Sequence, residues 1–217
     1  MREFMKLTRV MLVWLAGCLA ASAQGTSTVP AKVEAVPAVP DNSDEVSTLL
    51  ASGRNCLMEG KWPEAVALLE KARLLQPANG EAAFGLSAAF IELKRYEDAL
   101  PLLESLARTA PDNPMVKNNL AWVLLHVKNG AADNQARAIK LARSALMAVP
   151  SDYAIWNTLG EAYYASGQFE KAMKAAQSGL RLSLLAGVTN SPCRELVARS
   201  RKAAGAAVLG ELESEHP

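Results

Sequence analysis

Apolar positions recur along most of this chain in steps of three and four. Trp156, Leu159, Gly160 and Tyr163 follow one another at three, one and three, which places them on a single helical face. Gly160 has no side chain, so a second helix can approach closely there, and Gly167 supplies the left-handed turn that ends the first helix. A second helix is predicted from about Glu170, with Ala172 and Ala176 on its inner face, where small residues let the two helices close up. The unit predicted is a helical hairpin.

The hairpin repeats, and prolines mark the interval. Pro77 and Pro111 are 34 residues apart, and Pro111 and Pro150 are 39 apart, which is 34 with an insertion of five. Ala65, Ala99, Ala138 and Ala172 follow the same 34, 39, 34 rhythm. Trp62, Tyr96 and Phe169 each precede one of these alanines by three residues, with Gln135 in that place in the third unit. A fixed interval near this length is the signature of stacked repeats, in which no unit can bury its apolar face alone. The third unit is expected to carry an enlarged turn from Lys128 to Gln135, an ordinary surface insertion. Pro101 is expected in the first turn or so of its helix, where a missing donor costs little.

Both ends differ from the repeats. Residues 24–43 carry Pro30, Pro37 and Pro40 among small residues and read as an extended linker. Near the other end, Ser191-Pro192 is a helix start, and Cys193, Leu196, Val197, Ala203 and Ala204 form an apolar stripe. Arg194, Arg199, Arg201 and Lys202 form its solvated face, so residues 187–217 read as a capping helix with a frayed acidic tail from Glu211. At the start, Arg2, Lys6 and Arg9 precede the apolar run Val10 to Ala21 and the small-x-small triplet Ala21-Ser22-Ala23. Residues 1–23 are therefore expected to be a signal peptide, which makes the protein periplasmic or secreted. Leu15-Ala16-Gly17-Cys18 also fits a lipobox, in which residues 1–17 are removed and Cys18 is acylated, giving an outer-membrane lipoprotein. That anchor is the only membrane attachment expected.

Composition agrees with helices and narrows the chemistry. Half of the 217 residues are apolar but only 6% are aromatic, and the formal net charge is +1. No clustered basic face points to nucleic acid. Cys56, Cys193, His126 and His216 show no metal-ligand spacing, and the two cysteines stand near opposite ends of the repeats, so no disulfide between them is expected. Glu97-Asp98 reads as a pair at a helix start, stabilised by the helix dipole. No nucleophile, base and orienter fall into a recognisable arrangement. No enzyme activity and no cofactor are expected.

The run Trp156-x-x-Leu159-Gly160-x-x-Tyr163 followed by Ala172 resembles the tetratricopeptide repeat, as does Leu49-x-x-Ser52-Gly53-x-x-Cys56 followed by Gly60, Ala65 and Pro77. The resemblance covers residues 44–186 in four repeats, about 46–79, 80–113, 114–152 and 153–186. It implies an all-α fold: an α-solenoid of about four hairpins with a C-terminal cap. Lys117, Ala176, Gly179 and Leu184 depart from the family pattern.

The resemblance also implies that the first helix of each hairpin lines a concave trough. The side chains expected there are Leu50, Arg54 and Met58, then Phe84 and Ile91, then Asn118, Trp122 and Leu125, then Asn157, Glu161 and Tyr164. Phe84, Ile91, Trp122, Leu125 and Tyr164 are expected to form a contiguous apolar patch that anchors a peptide, with Glu81, Glu92 and Glu161 favouring a basic flank. Leu50 and Met115 stand where family members that hold a C-terminal carboxylate carry Lys, so that mode of capture is not expected. The function implied is an exported scaffold or adaptor for a protein or peptide partner, in envelope assembly, secretion or pilus biogenesis. The alternatives are a self-associating structural subunit and a non-catalytic accessory of an envelope enzyme.

Overall fold

The computed structural model describes residues 42–128 and 132–215. The expected signal segment, Cys18 and nearly all of the linker lie outside the described residues. Those described form helices joined by short turns, with no strand among them. The first hairpin is α1 (Ser43–Glu59) and α2 (Trp62–Leu75), and the second is α3 (Gly80–Glu92) and α4 (Tyr96–Thr109). The third is α5 (Pro114–His126) and α6 (Ala132–Ala148), the fourth is α7 (Tyr153–Ala165) and α8 (Phe169–Leu185), and α9 (Pro192–Glu215) follows.

Two turn designs recur at the repeat interval. Within hairpins, Gly60 at φ 74° and Gly167 at φ 73° close the first helix in the left-handed conformation. The amide of Lys61 donates to the Cys56 carbonyl at 2.9 Å, and that of Gln168 to the Tyr163 carbonyl at 2.9 Å, the bond pattern of a Schellman cap. The second hairpin uses Lys94 at φ 59° for the same purpose, with the Arg95 amide donating to Phe90 at 2.8 Å. Between hairpins, Asn79, Asn113 and Asp152 accept hydrogen bonds from Ala82, Met115 and Ala154 amides at 2.9, 2.9 and 2.8 Å. Each lies two residues after Pro77, Pro111 or Pro150 and caps the next first helix.

The core is the seam between helices. Ala65, Ala99, Ala138 and Ala172 are all 0% exposed, so the rhythm of small residues marks the closest approaches. Trp62, Tyr96 and Phe169 each begin a second helix. From the second hairpin on, each first helix packs against its own partner, against the preceding second helix and against the preceding first helix. The last contact turns a row of hairpins into a solenoid with an inner face. α9 packs on α8 and α7 as though it were the first helix of another hairpin.

Four expectations change. Pro101 is the sixth residue of α4, not part of its first turn, so the Glu97 carbonyl loses its helical donor; the site is exposed and water can serve it. The enlarged third turn is partly helix, because α6 begins at Ala132, inside the expected loop. α9 runs to Glu215 through the stretch expected to fray. Cys56, which by sequence reads as a small buried apolar residue, is half-buried, while Cys193 is fully buried, and both are free thiols.

Candidate peptide-binding trough

The structure sorts the expected trough residues by depth. Asn118 is 0% exposed, and Leu50, Ile91 and Asn157 are buried as well. Packing in the stack takes these four out of solvent. The patch expected from Phe84, Ile91, Trp122, Leu125 and Tyr164 therefore loses Ile91, and the other four are half-buried. Met58 remains open, 56% exposed. Leu74, Met147 and Leu185 are more exposed still, but they belong to second helices and lie off the inner face.

Charges are arranged unevenly along the inner face. At one end the Arg54 guanidinium donates to the Glu81 carboxylate. At the other, Arg199 of α9 donates to Glu161 and lies 4.8 Å from the Tyr164 ring centroid. Tyr164 is in turn edge-on to Phe169 at 5.4 Å. Arg199, expected on a solvated face, thus closes that end of the trough. Burial pushes the Glu161 carboxyl above the usual carboxylate range, with Arg199 and His126 opposing the shift.

Between these ends stands a cluster of rings. His126 lies 4.3 Å from Trp122 and 4.9 Å from Tyr96, centroid to centroid, with the rings tilted by 30° and 35°. The Trp122 carbonyl can only accept, so His126 Nδ1, 2.8 Å away, carries the proton and donates to it. That fixes the ring against the indole. Tyr96 enters from the start of α4; burial raises its hydroxyl pKa, the Glu92 charge adds to the rise, and the Trp122 side chain opposes it. Glu92 keeps access to solvent, yet partial desolvation by its neighbours raises its carboxyl above the usual carboxylate range. It makes no ion pair among the described residues: Arg95, three residues on, is committed to Asp98 at 2.7 Å and to the Phe90 ring at 4.4 Å.

Tyr96 and Arg199 were not expected at the trough. Tyr96 shows in the sequence only as a landmark of the second helix. Arg199 gives no signal, because its position depends on how α9 docks. Among the described residues no three His, Cys, Asp or Glu side chains gather as a metal site, and no helix is long and apolar enough to cross a membrane.

The sequence profile of the tetratricopeptide repeat family matches residues 57–123 and 131–182, together more than half of the chain. Superkiller protein 3 of Schizosaccharomyces pombe is 32% identical over 113 residues, which make up 51% of this chain and 8% of that protein. The chain thus spans a small part of that relative's length. A thermophilic tetratricopeptide repeat protein of Thermus thermophilus, TTC0263, superposes with a TM-score of 0.60 at 19% identity, over 74% of this chain and 83% of that one. MamA of Desulfovibrio magneticus gives a TM-score of 0.55 at 19% identity, over 75% and 97% of the respective chains. At these identities the likeness to the solved structures is one of fold.

Proposed function

The chain belongs to the tetratricopeptide repeat family, and on that basis we propose that its inner face holds a segment of another polypeptide. Tetratricopeptide repeats are scaffolds for protein partners and generally not catalysts. The observation that carries the reading is Trp122, a half-buried indole on the inner face with a rigid ring neighbour and Leu125 beside it. A Trp held in this way offers a large contact area at little entropic cost, as binding hot spots do. Phe84 on α3 and Met58 on α1 extend the apolar contact toward the first repeat.

The test is selection of dodecapeptides from a random display library on the full chain. Trp122→Ala should weaken the selected peptides by about 10-fold or more, the scale of a hot-spot truncation. Leu74→Ala, on a second helix, should leave them unchanged. Equal binding by wild type and Trp122→Ala would remove the trough as the site.

We further place the protein outside the cytoplasm, as an adaptor in envelope assembly, secretion or pilus biogenesis. The basic start, short apolar run and Ala21-Ser22-Ala23 support export, and Leu15-Ala16-Gly17-Cys18 supports a lipid anchor. Mass spectrometry of the protein from its native host distinguishes the routes. A chain starting at Gln24 means free export, one starting at acylated Cys18 means an anchor, and one still starting at Met1 rejects both.

A further inference from the structure

Three carboxylates lie on the inner face, and the structure gives them different standing. Glu81 is neutralised by Arg54 and Glu161 by Arg199, each from a neighbouring first helix or from the cap. Glu92 has no cation among the described residues, although Lys94 and Arg95 follow it closely. It lies in the last turn of α3, and its charge is felt by Tyr96, which stacks with His126 next to Trp122. A carboxylate in no ion pair, whose charge reaches the Tyr of a Tyr–His–Trp ring cluster, is complementary to one class of group. A cation is attracted both by the charge and by ring faces, indole most strongly.

We infer that Glu92, Tyr96 and Trp122 form a subsite for a basic side chain, Lys or Arg, of the bound polypeptide segment. The sequence alone offers Glu81, Glu92 and Glu161 equally; the ion pairs leave Glu92. The physical reason to expect a gain is that a guest cation reaches Glu92 without displacing an arginine, whereas Glu81 and Glu161 would first have to give up Arg54 and Arg199. The apolar anchors near Trp122 and the cation at Glu92 then set a fixed spacing between an apolar and a basic residue in the guest. This inference rests on the trough reading, and its test separates the two.

The dodecapeptides selected on the full chain are expected to share a Lys or Arg at a constant offset from an aromatic or aliphatic residue. Glu92→Gln should bind them about 10-fold more weakly. Replacing the basic residue of the peptide by norleucine should cost wild type the same factor and cost Glu92→Gln almost nothing further, the mark of direct coupling. Glu92→Asp should keep the preference in part. An unchanged melting curve for Glu92→Gln shows that the effect is not one of folding. Peptides that depend on Trp122 but show no basic preference, or bind Glu92→Gln as well as wild type, overturn the subsite and leave the trough. Peptides indifferent to Trp122 remove both.

Discussion

Gly179 in α8 and Gly205 in α9 differ in what an added methyl group would meet. A Cβ on Gly179 would lie 2.7 Å from Cys193 Sγ, 3.0 Å from Trp156 Cβ and 3.2 Å from the Tyr153 carbonyl oxygen, whereas one on Gly205 meets nothing within 4 Å. Gly179 replaces the usual inner alanine of the fourth repeat because α9 crowds that seam. Gly179→Ala should therefore destabilise the fold by roughly 1–3 kcal/mol, overpacking outweighing the better helix propensity. Gly205→Ala should stabilise it by about 0.5–1 kcal/mol, since only propensity acts. Urea unfolding of the two variants checks the signs. Departures from the repeat pattern are readable at this scale, but their cause is not: Gly179 is visible in the sequence, its neighbour Cys193 only in the packed structure.

The turns show the same division for elements. Gly60 and Gly167 mark helix ends plainly, while Lys94 performs the same turn without a signal, at φ 59°. A side chain costs roughly 1–2 kcal/mol in this conformation. Lys94→Gly should raise stability by about 1 kcal/mol, and Gly167→Ala should lower it by a similar amount. Gly167 has nothing within 4 Å of its missing Cβ, so backbone strain alone is measured there. Thermal unfolding of both variants should move in opposite directions. Caps behave differently: Asn79, Asn113 and Asp152 keep step with the prolines, so the interval read from Pro77, Pro111 and Pro150 already contained them. The insertion in the third repeat was legible as extra length. Its partial conversion to helix at Ala132 was not, because length carries no information about hydrogen bonding.

As a whole the molecule is a row in which each hairpin touches its neighbours and little else. Stability in such a row is greatest where a unit has neighbours on both sides. Amide hydrogen exchange should be slowest in α5, where Leu120, Ala121, Val123 and Leu124 are all buried, and fastest in the first turn of α1 and the last turns of α9. Uniform protection along the chain would contradict a linear stack. The number of hairpins, their small-residue seams and the capping helix were legible in the sequence, because each depends on spacing along one or two helices, and spacing survives in a one-dimensional string. What the inner face offers a guest was decided only by tertiary structure. Asn118 and Ile91 lie on the right helical face and are nonetheless buried once the helices pack together. Glu81 and Glu161 have the same character as Glu92 until Arg54 and Arg199 reach them from other helices. Depth and charge pairing arise from contacts between repeats, and no period within a repeat contains them.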